Sequence, residues 1–125
     1  MLDSSAVLAV LLDEAGADRV TGVLPGALLS AVNLSEGIGK LCERGMPASE
    51  AGLAVAALGA DIVAFDEEQA KLAGELRPLT RAAGLSLGDR ACLALSRLRR
   101  LPAMTTDAAW LTVSGSEIIL IRGTH

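Results

Sequence analysis

Apolar residues come in runs of two lengths, and polar turns separate them. Residues 27–30, 61–65, 103–105 and 118–121 are brief runs rich in Leu, Ile, Val, Ala and Met. They are too short for helices and suit buried strands. Residues 1–2 form an apolar stub that predicts the end of a first strand. Longer runs at 4–12, 31–44, 47–58, 66–83 and 87–100 predict helices, and 17–24 predicts a weaker one ended by Pro25-Gly26. Asp13-Glu14-Ala15-Gly16 breaks the first helix and Gly45 stops the third. Pro47 suits a first helical turn, with Glu50 near the positive end of that helix. Asp66-Glu67-Glu68-Gln69 has the pattern of a capping box, and Pro78 predicts a kink or break downstream. Residues 107–111 read as one helical turn. Short strands alternating with helices predict an α/β sandwich around a parallel sheet. Such sheets bind ligands outside the carboxyl ends of their strands, and Asp3 and Asp107 each follow a predicted strand.

The chain has 125 residues with no repeat, low-complexity tract or linker, which predicts a single domain over 1–125. A chain of this size buries a core without staples. Hydrophobic residues make up 51% and aromatic residues 2%, so that core must be built from Ala, Leu, Val and Ile. A mean hydropathy of +0.46 predicts apolar surface left for a partner or a second copy. Cys42 and Cys92 lack metal-ligand spacing and form no disulfide framework, so they read as buried thiols of a reducing cytoplasm. The early apolar run is short, follows Asp3 and precedes Asp13-Glu14, which suits neither a signal peptide nor a membrane span. The expectation is a cytoplasmic protein without membrane contact.

Net charge is −4, which argues against nonspecific nucleic-acid binding. Arg77, Arg81, Arg90, Arg97, Arg99 and Arg100 are nonetheless grouped in the second half. They read either as a basic strip beside an acidic pocket or as a solvated helix face. With His125 the only histidine, a Ser-His-Asp or Cys-His mechanism lacks a credible base. No phosphate-binding or dinucleotide-binding glycine fingerprint is present.

Four acids remain, each where an apolar run meets a turn or a helix start. Asp3 follows the first strand stub and could equally cap the next helix. Glu36 lies one turn after Asn33, so the two side chains share a face, with Lys40 at i+4 as a surface partner in the plainer reading. Gly37 and Gly39 cost that helix roughly 1 kcal/mol each against Ala, and suggest close approach of another group. Asp89 opens a helix on a face that continues into Cys92 and Leu93; dipole compensation is its alternative role. Asp107 follows Thr105-Thr106, whose hydroxyls could orient an acid or a water. Carboxylates gathered in one pocket repel one another unless a hard divalent cation offsets them. Metal-dependent phosphoester chemistry is therefore the leading expectation. A metal-dependent phosphatase, a DNA nuclease and a non-catalytic interaction module are the rivals.

Four segments carry a family resemblance: Leu2-Asp3-Ser4-Ser5-Ala6, Val32-Asn33-Leu34-Ser35-Glu36, Leu85-Ser86-Leu87-Gly88-Asp89-Arg90-Ala91 and Thr105-Thr106-Asp107 with Ala109-Trp110. In order and spacing they resemble the motifs of PIN-domain ribonucleases, and within those the VapC-like toxins of bacterial toxin–antitoxin modules. The resemblance implies a three-layer α/β/α sandwich with a central parallel sheet of about five strands. It implies metal-binding and catalytic roles for Asp3, Glu36, Asp89 and Asp107, with Asp3 and Asp89 as the direct ligands. Ser5, Asn33 and Thr105 match supporting polar positions. It further implies Mg²⁺ or Mn²⁺, an RNA substrate, a homodimer and a cognate antitoxin. Arg90, next to Asp89, is the expected contact to RNA phosphates.

Overall fold

The computed structural model describes residues 1–121. In chain order the elements are α1 (Ser4–Leu11), α2 (Ala17–Thr21), β1 (Leu28–Ser30), α3 (Ala31–Glu43), α4 (Ala48–Ala56), β2 (Asp61–Val63), α5 (Glu67–Thr80), α6 (Leu87–Arg99) and β3 (Ala103–Thr105). A 3₁₀ helix at Ala108–Thr112 and β4 (Ile118–Leu120) complete them. Each matches a run read from the hydrophobic pattern, with ends shifted by a few residues.

The strands form two parallel pairs. β1 lies beside β2, with Leu29 opposite Ile62, and β3 lies beside β4, with Met104 opposite Ile119. Leu2 joins them through single parallel bridges to Leu29 and Met104. Its N–H donates to the Leu28 carbonyl at 2.9 Å, and Met104 N–H donates to the Met1 carbonyl at 2.7 Å. The strand stub read at residues 1–2 is thus one bridging residue, and in place of the expected central sheet of about five strands there are two short pairs joined at Leu2. The extended run ends at once because Asp3 already serves as the N-cap of α1.

Neighbouring strand residues point to opposite faces. Leu2, Leu29, Met104 and Ile119 pack with α1, α2, α3 and α4 around Val7, Val20, Leu41 and Val55. Met1, Leu28, Ala103 and Ile118 pack with α5 and α6 around Leu76, Leu93, Leu95 and Trp110. Helices therefore cover both faces, and the expected α/β/α layering follows. Trp110 is fully buried and belongs to this packing.

Two local expectations change. Asp66 Oδ1 caps α5 through Gln69 N–H at 2.9 Å, but the Gln69 amide donates to the Ala64 carbonyl instead of closing a box. The reciprocal box is at the start of α6, between Ser86 and Asp89. Pro78 sits inside α5, which ends only two residues later, so no break occurs at the proline. α6 ends at Arg100, whose left-handed backbone (φ 56°) costs a non-glycine residue on the order of 1 kcal/mol.

Candidate metal centre

Asp3 is 3% exposed. Its Oδ1 accepts from Ser5 Oγ at 2.7 Å and Ala6 N–H at 2.8 Å, and its Oδ2 accepts from Thr105 Oγ1 at 2.7 Å. All three donors are neutral. Burial pushes the Asp3 carboxyl above its ordinary range; the bonds from Thr105, Ser5 and Ala6 oppose this, and the charge of Asp89 adds to it. Ser5 Oγ also accepts from Thr106 N–H at 3.0 Å, and Thr105 Oγ1 accepts from Asp107 N–H at 3.1 Å. The two hydroxyls therefore lock Asp3 to the carboxyl end of β3.

Glu36 reaches the start of α6. Asn33 Nδ2 donates to Glu36 Oε1 at 3.1 Å and to the Gly88 carbonyl at 3.0 Å, which fixes α3 against α6. The Glu36 carboxylate lies directly over the Gly88 Cα, where any Cβ would collide with both of its oxygens. Sequence reading gave Gly88 no role, although it immediately precedes Asp89. The close approach expected at Gly37 and Gly39 is absent: a Cβ at Gly37 would meet only Val7 at 3.9 Å, and one at Gly39 would meet nothing. Asp89 is half-buried; its Oδ2 accepts from Ser86 N–H at 2.9 Å, so dipole compensation and capping are both realised.

The charges of Asp3, Asp89 and Glu36 all act on one thiol. Burial holds Cys92 well above the usual thiol range; Asp3 pushes the same way, the terminal amino group opposes, and Asp89 and Glu36 add further. Cys92 is thus a fully buried thiol whose charged form is disfavoured, whereas Cys42 is only partly buried. None of the three acids forms an ion pair with a Lys or Arg among the described residues. Lys40, the surface partner expected for Glu36, instead donates to Ser4 Oγ at 3.3 Å, beside Asp3. Asn33, itself 1% exposed, leaves its Oδ1 without a donor.

Asp107 stands apart. It is exposed and caps the 3₁₀ helix through Ala109 N–H at 3.0 Å; only the Thr105 hydroxyl links it to Asp3. Among the described residues no three Asp, Glu, Cys or His groups enclose an ion by themselves. The donor set still suits a hard cation held by one or two carboxylates, with water in the remaining positions, as Mg²⁺ is commonly bound. Uncompensated carboxylates and an acceptor oxygen lacking a donor both fit a hydrated ion.

The arginines divide. Arg90 Nη1 donates to the Ala73 carbonyl at 3.0 Å and its Nε is buried without a partner, so it ties α6 to α5. Arg77 and Arg81 are exposed at the end of α5, which a short turn joins to the start of α6. Arg97, Arg99 and Arg100 lie roughly 12–16 Å along α6 from Asp89, at about 1.5 Å per residue. A single basic strip beside the acids is therefore not formed.

The sequence profile described as PIN domain matches residues 1–115. No curated protein matches the chain significantly. Among solved structures, a chain of a toxin–antitoxin complex from Klebsiella pneumoniae is similar at 18% identity. That match covers 94% of this chain and 93% of the other, with a TM-score of 0.69. A chain of VapBC2 from Rickettsia felis, bound to a DNA fragment from its promoter, is similar at 12% identity, over 95% and 96%, with a TM-score of 0.74. A chain of VapBC-5 from Mycobacterium tuberculosis is similar at 19% identity, over 75% and 79%, with a TM-score of 0.50.

Proposed function

This chain belongs to the PIN domain family, and from that premise we propose that it is a metal-dependent endoribonuclease acting as the toxin of a toxin–antitoxin pair. The observation that carries the reading is the buried Asp3, which has no cation partner among the described residues and feels the charge of Asp89. Folding alone does not favour an unpaired acid at that depth.

In this reading Asp3 and Asp89 would hold Mg²⁺ or Mn²⁺, with Glu36 as a further carboxylate and Asp107, exposed beyond Thr105, as an outlying one. Such an ion, when bound, lowers the pKa of a water and offsets charge on a phosphodiester. The chain supplies the rest. Ser5 and Thr105 keep Asp3 in one orientation. Asn33 and Gly88 let Glu36 lie against the start of α6, where its free oxygen can accept a proton from water attacking phosphorus in line. The bond from phosphorus to the 3′ oxygen breaks, that oxygen takes a proton from solvent to become the 3′-hydroxyl of the upstream fragment, and the downstream fragment keeps a 5′-phosphate. With no Tyr and one Phe, base stacking contributes little, and RNA is held through its phosphates. Arg77 and Arg81 stand better placed for this than Arg90, whose guanidinium is engaged within the fold.

Leu53 and Leu79 are 72% and 70% exposed, which supports burial against a second copy or an antitoxin. No helix of the described residues is long and apolar enough to cross a membrane; an antitoxin-regulated ribonuclease would work in the cytoplasm.

Purified chain with Mg²⁺ is expected to cleave RNA, and folded Asp3→Asn and Asp89→Asn are expected to be inactive. Metal-dependent cleavage by folded Asp89→Asn would refute the assignment. Parallel assays on DNA and phosphomonoesters separate the rival hydrolases. A non-catalytic module is the second reading, favoured because no three acids among the described residues enclose an ion unaided; absence of all cleavage would select it.

A further inference from the structure

The C-terminal end of α6 carries an open recess of about 390 Å³, lined mainly by Ser96, Arg97, Arg100, Gly115, Ser116 and Glu117. It lies at the amino edge of the strands, a full helix length from the acids. We propose that this recess binds a phosphate oxyanion between Arg97 and Arg100. The site does not rest on the nuclease reading.

Arg97 is already fixed in place. Its Nε donates to Ser116 Oγ at 2.8 Å and its Nη2 to the Ser114 carbonyl at 2.7 Å. A Cβ on Gly115 would lie 3.3 Å from Nη2, so the turn packs its bare backbone onto the guanidinium. These bonds leave Nη1 uncommitted. Arg100 has no hydrogen bond or ion pair from its side chain among the described residues. Glu117 lines the same recess yet pairs with neither arginine. Two arginines therefore line one recess, and Glu117, the acid that lines it with them, forms an ion pair with neither.

The dipole of α6 accounts for cationic residues at its end. It does not account for their sharing a recess, nor for the backbone of Arg100. That residue occupies the left-handed position that glycine or asparagine normally takes after a helix. Folding alone would select glycine there. Guanidiniums bind phosphate oxygens through paired, charge-assisted hydrogen bonds. The volume exceeds ten waters at about 30 Å³ each, so it admits the ester groups of a phosphodiester as well as the oxyanion.

The test is a titration of ¹⁵N-labelled protein with inorganic phosphate at constant ionic strength, read at Arg97 Nε–H and the Gly115 and Ser116 amides. Wild type is expected to shift saturably. Arg100→Gly should bind phosphate about tenfold more weakly, the scale of one charge-assisted bond, while melting at a higher temperature. Glu117→Gln should bind about threefold more tightly, as expected for removing a nearby like charge. A merely structural arginine gives the opposite stability change and no affinity change. Equal phosphate affinity in wild type and Arg100→Gly, or no saturable shift, overturns the proposal. A second arm adds a short RNA to the Asp3→Asn chain. Displacement of phosphate by RNA, with RNA affinity reduced by Arg100→Gly, identifies a polynucleotide backbone as the source. Phosphate binding with no such effect identifies a free phosphate or mononucleotide. RNA that binds nowhere counts against the nuclease reading and leaves the phosphate result to stand by itself.

Discussion

Helix α6 begins near Asp89 and ends with Arg97 and Arg99, an order that its dipole favours at both ends. The two ends nevertheless differ in what the dipole leaves over. At the first end the surplus is Asp3, a buried carboxylate from another element that only neutral groups solvate. At the last end it is Arg100, whose backbone is strained and whose side chain has no partner among the described residues. Exposed charges on a helix need no function to explain them. Buried or strained ones do, because a neutral or glycine residue would serve the fold better.

The strongest way to break this contrast is Asp3→Asn. RNA cleavage is expected to fall by at least about a hundredfold, the scale of losing one preorganised electrostatic group, while metal-free stability is retained. The pH dependence follows from the raised Asp3 pKa. The folded state holds the proton more tightly than the unfolded chain, whose pKa is near 3.8. This stabilisation is fully present below that value and is lost as pH rises through the folded pKa. Thermal melts without metal should therefore show a decline with rising pH that Asp3→Asn flattens.

Gly88→Ala sharpens the contrast by moving Glu36 alone. The displaced group is the end of a flexible side chain, and alanine is the better helix former, so stability should change by less than about 1 kcal/mol. Cleavage should nevertheless drop about tenfold or more, as expected when a charged group leaves its hydrogen-bonded position. A folded Gly88→Ala chain with wild-type turnover removes Glu36 from the mechanism.

Thr105→Val takes one donor from Asp3 and the acceptor from Asp107 N–H. Denaturant melts should show a loss of about 1–2 kcal/mol, with the Asp3 pKa raised further. The smallest effect expected is a gain: Arg100→Gly should add about 0.5–1 kcal/mol by relieving the left-handed backbone. A loss there would mean that Arg100 supports the fold and that the two ends of α6 do not correspond.

The lengths of the apolar runs were enough to place every element, because Gly, Pro and acidic turn residues separate them cleanly. Asp3, Asp89 and Asp107 stood out because each lies at a helix start, and Glu36 because it follows Asn33 by one turn of α3. Two features were not legible. Arg90 lay beside Asp89 in sequence, but its length and the packing of α5 on α6 took its guanidinium to Ala73. Gly88 carried no periodic signal at all; its role exists only because Asn33 brings α3 across to the start of α6, a contact between residues 55 positions apart. Asp107 shows the limit of motif spacing: its place in the order was plain, whereas its exposed position depends on the 3₁₀ turn that it caps.

The central claim is that Asp3, Glu36 and Asp89 together accommodate one hydrated divalent cation. Calorimetric titration of the full chain with Mn²⁺ tests this most directly, with Asp3→Asn and Gly88→Ala alongside. The account predicts saturable binding to wild type, loss of that binding in Asp3→Asn and weakening in Gly88→Ala. Equal Mn²⁺ affinity in all three proteins, or none in the wild type, would contradict it.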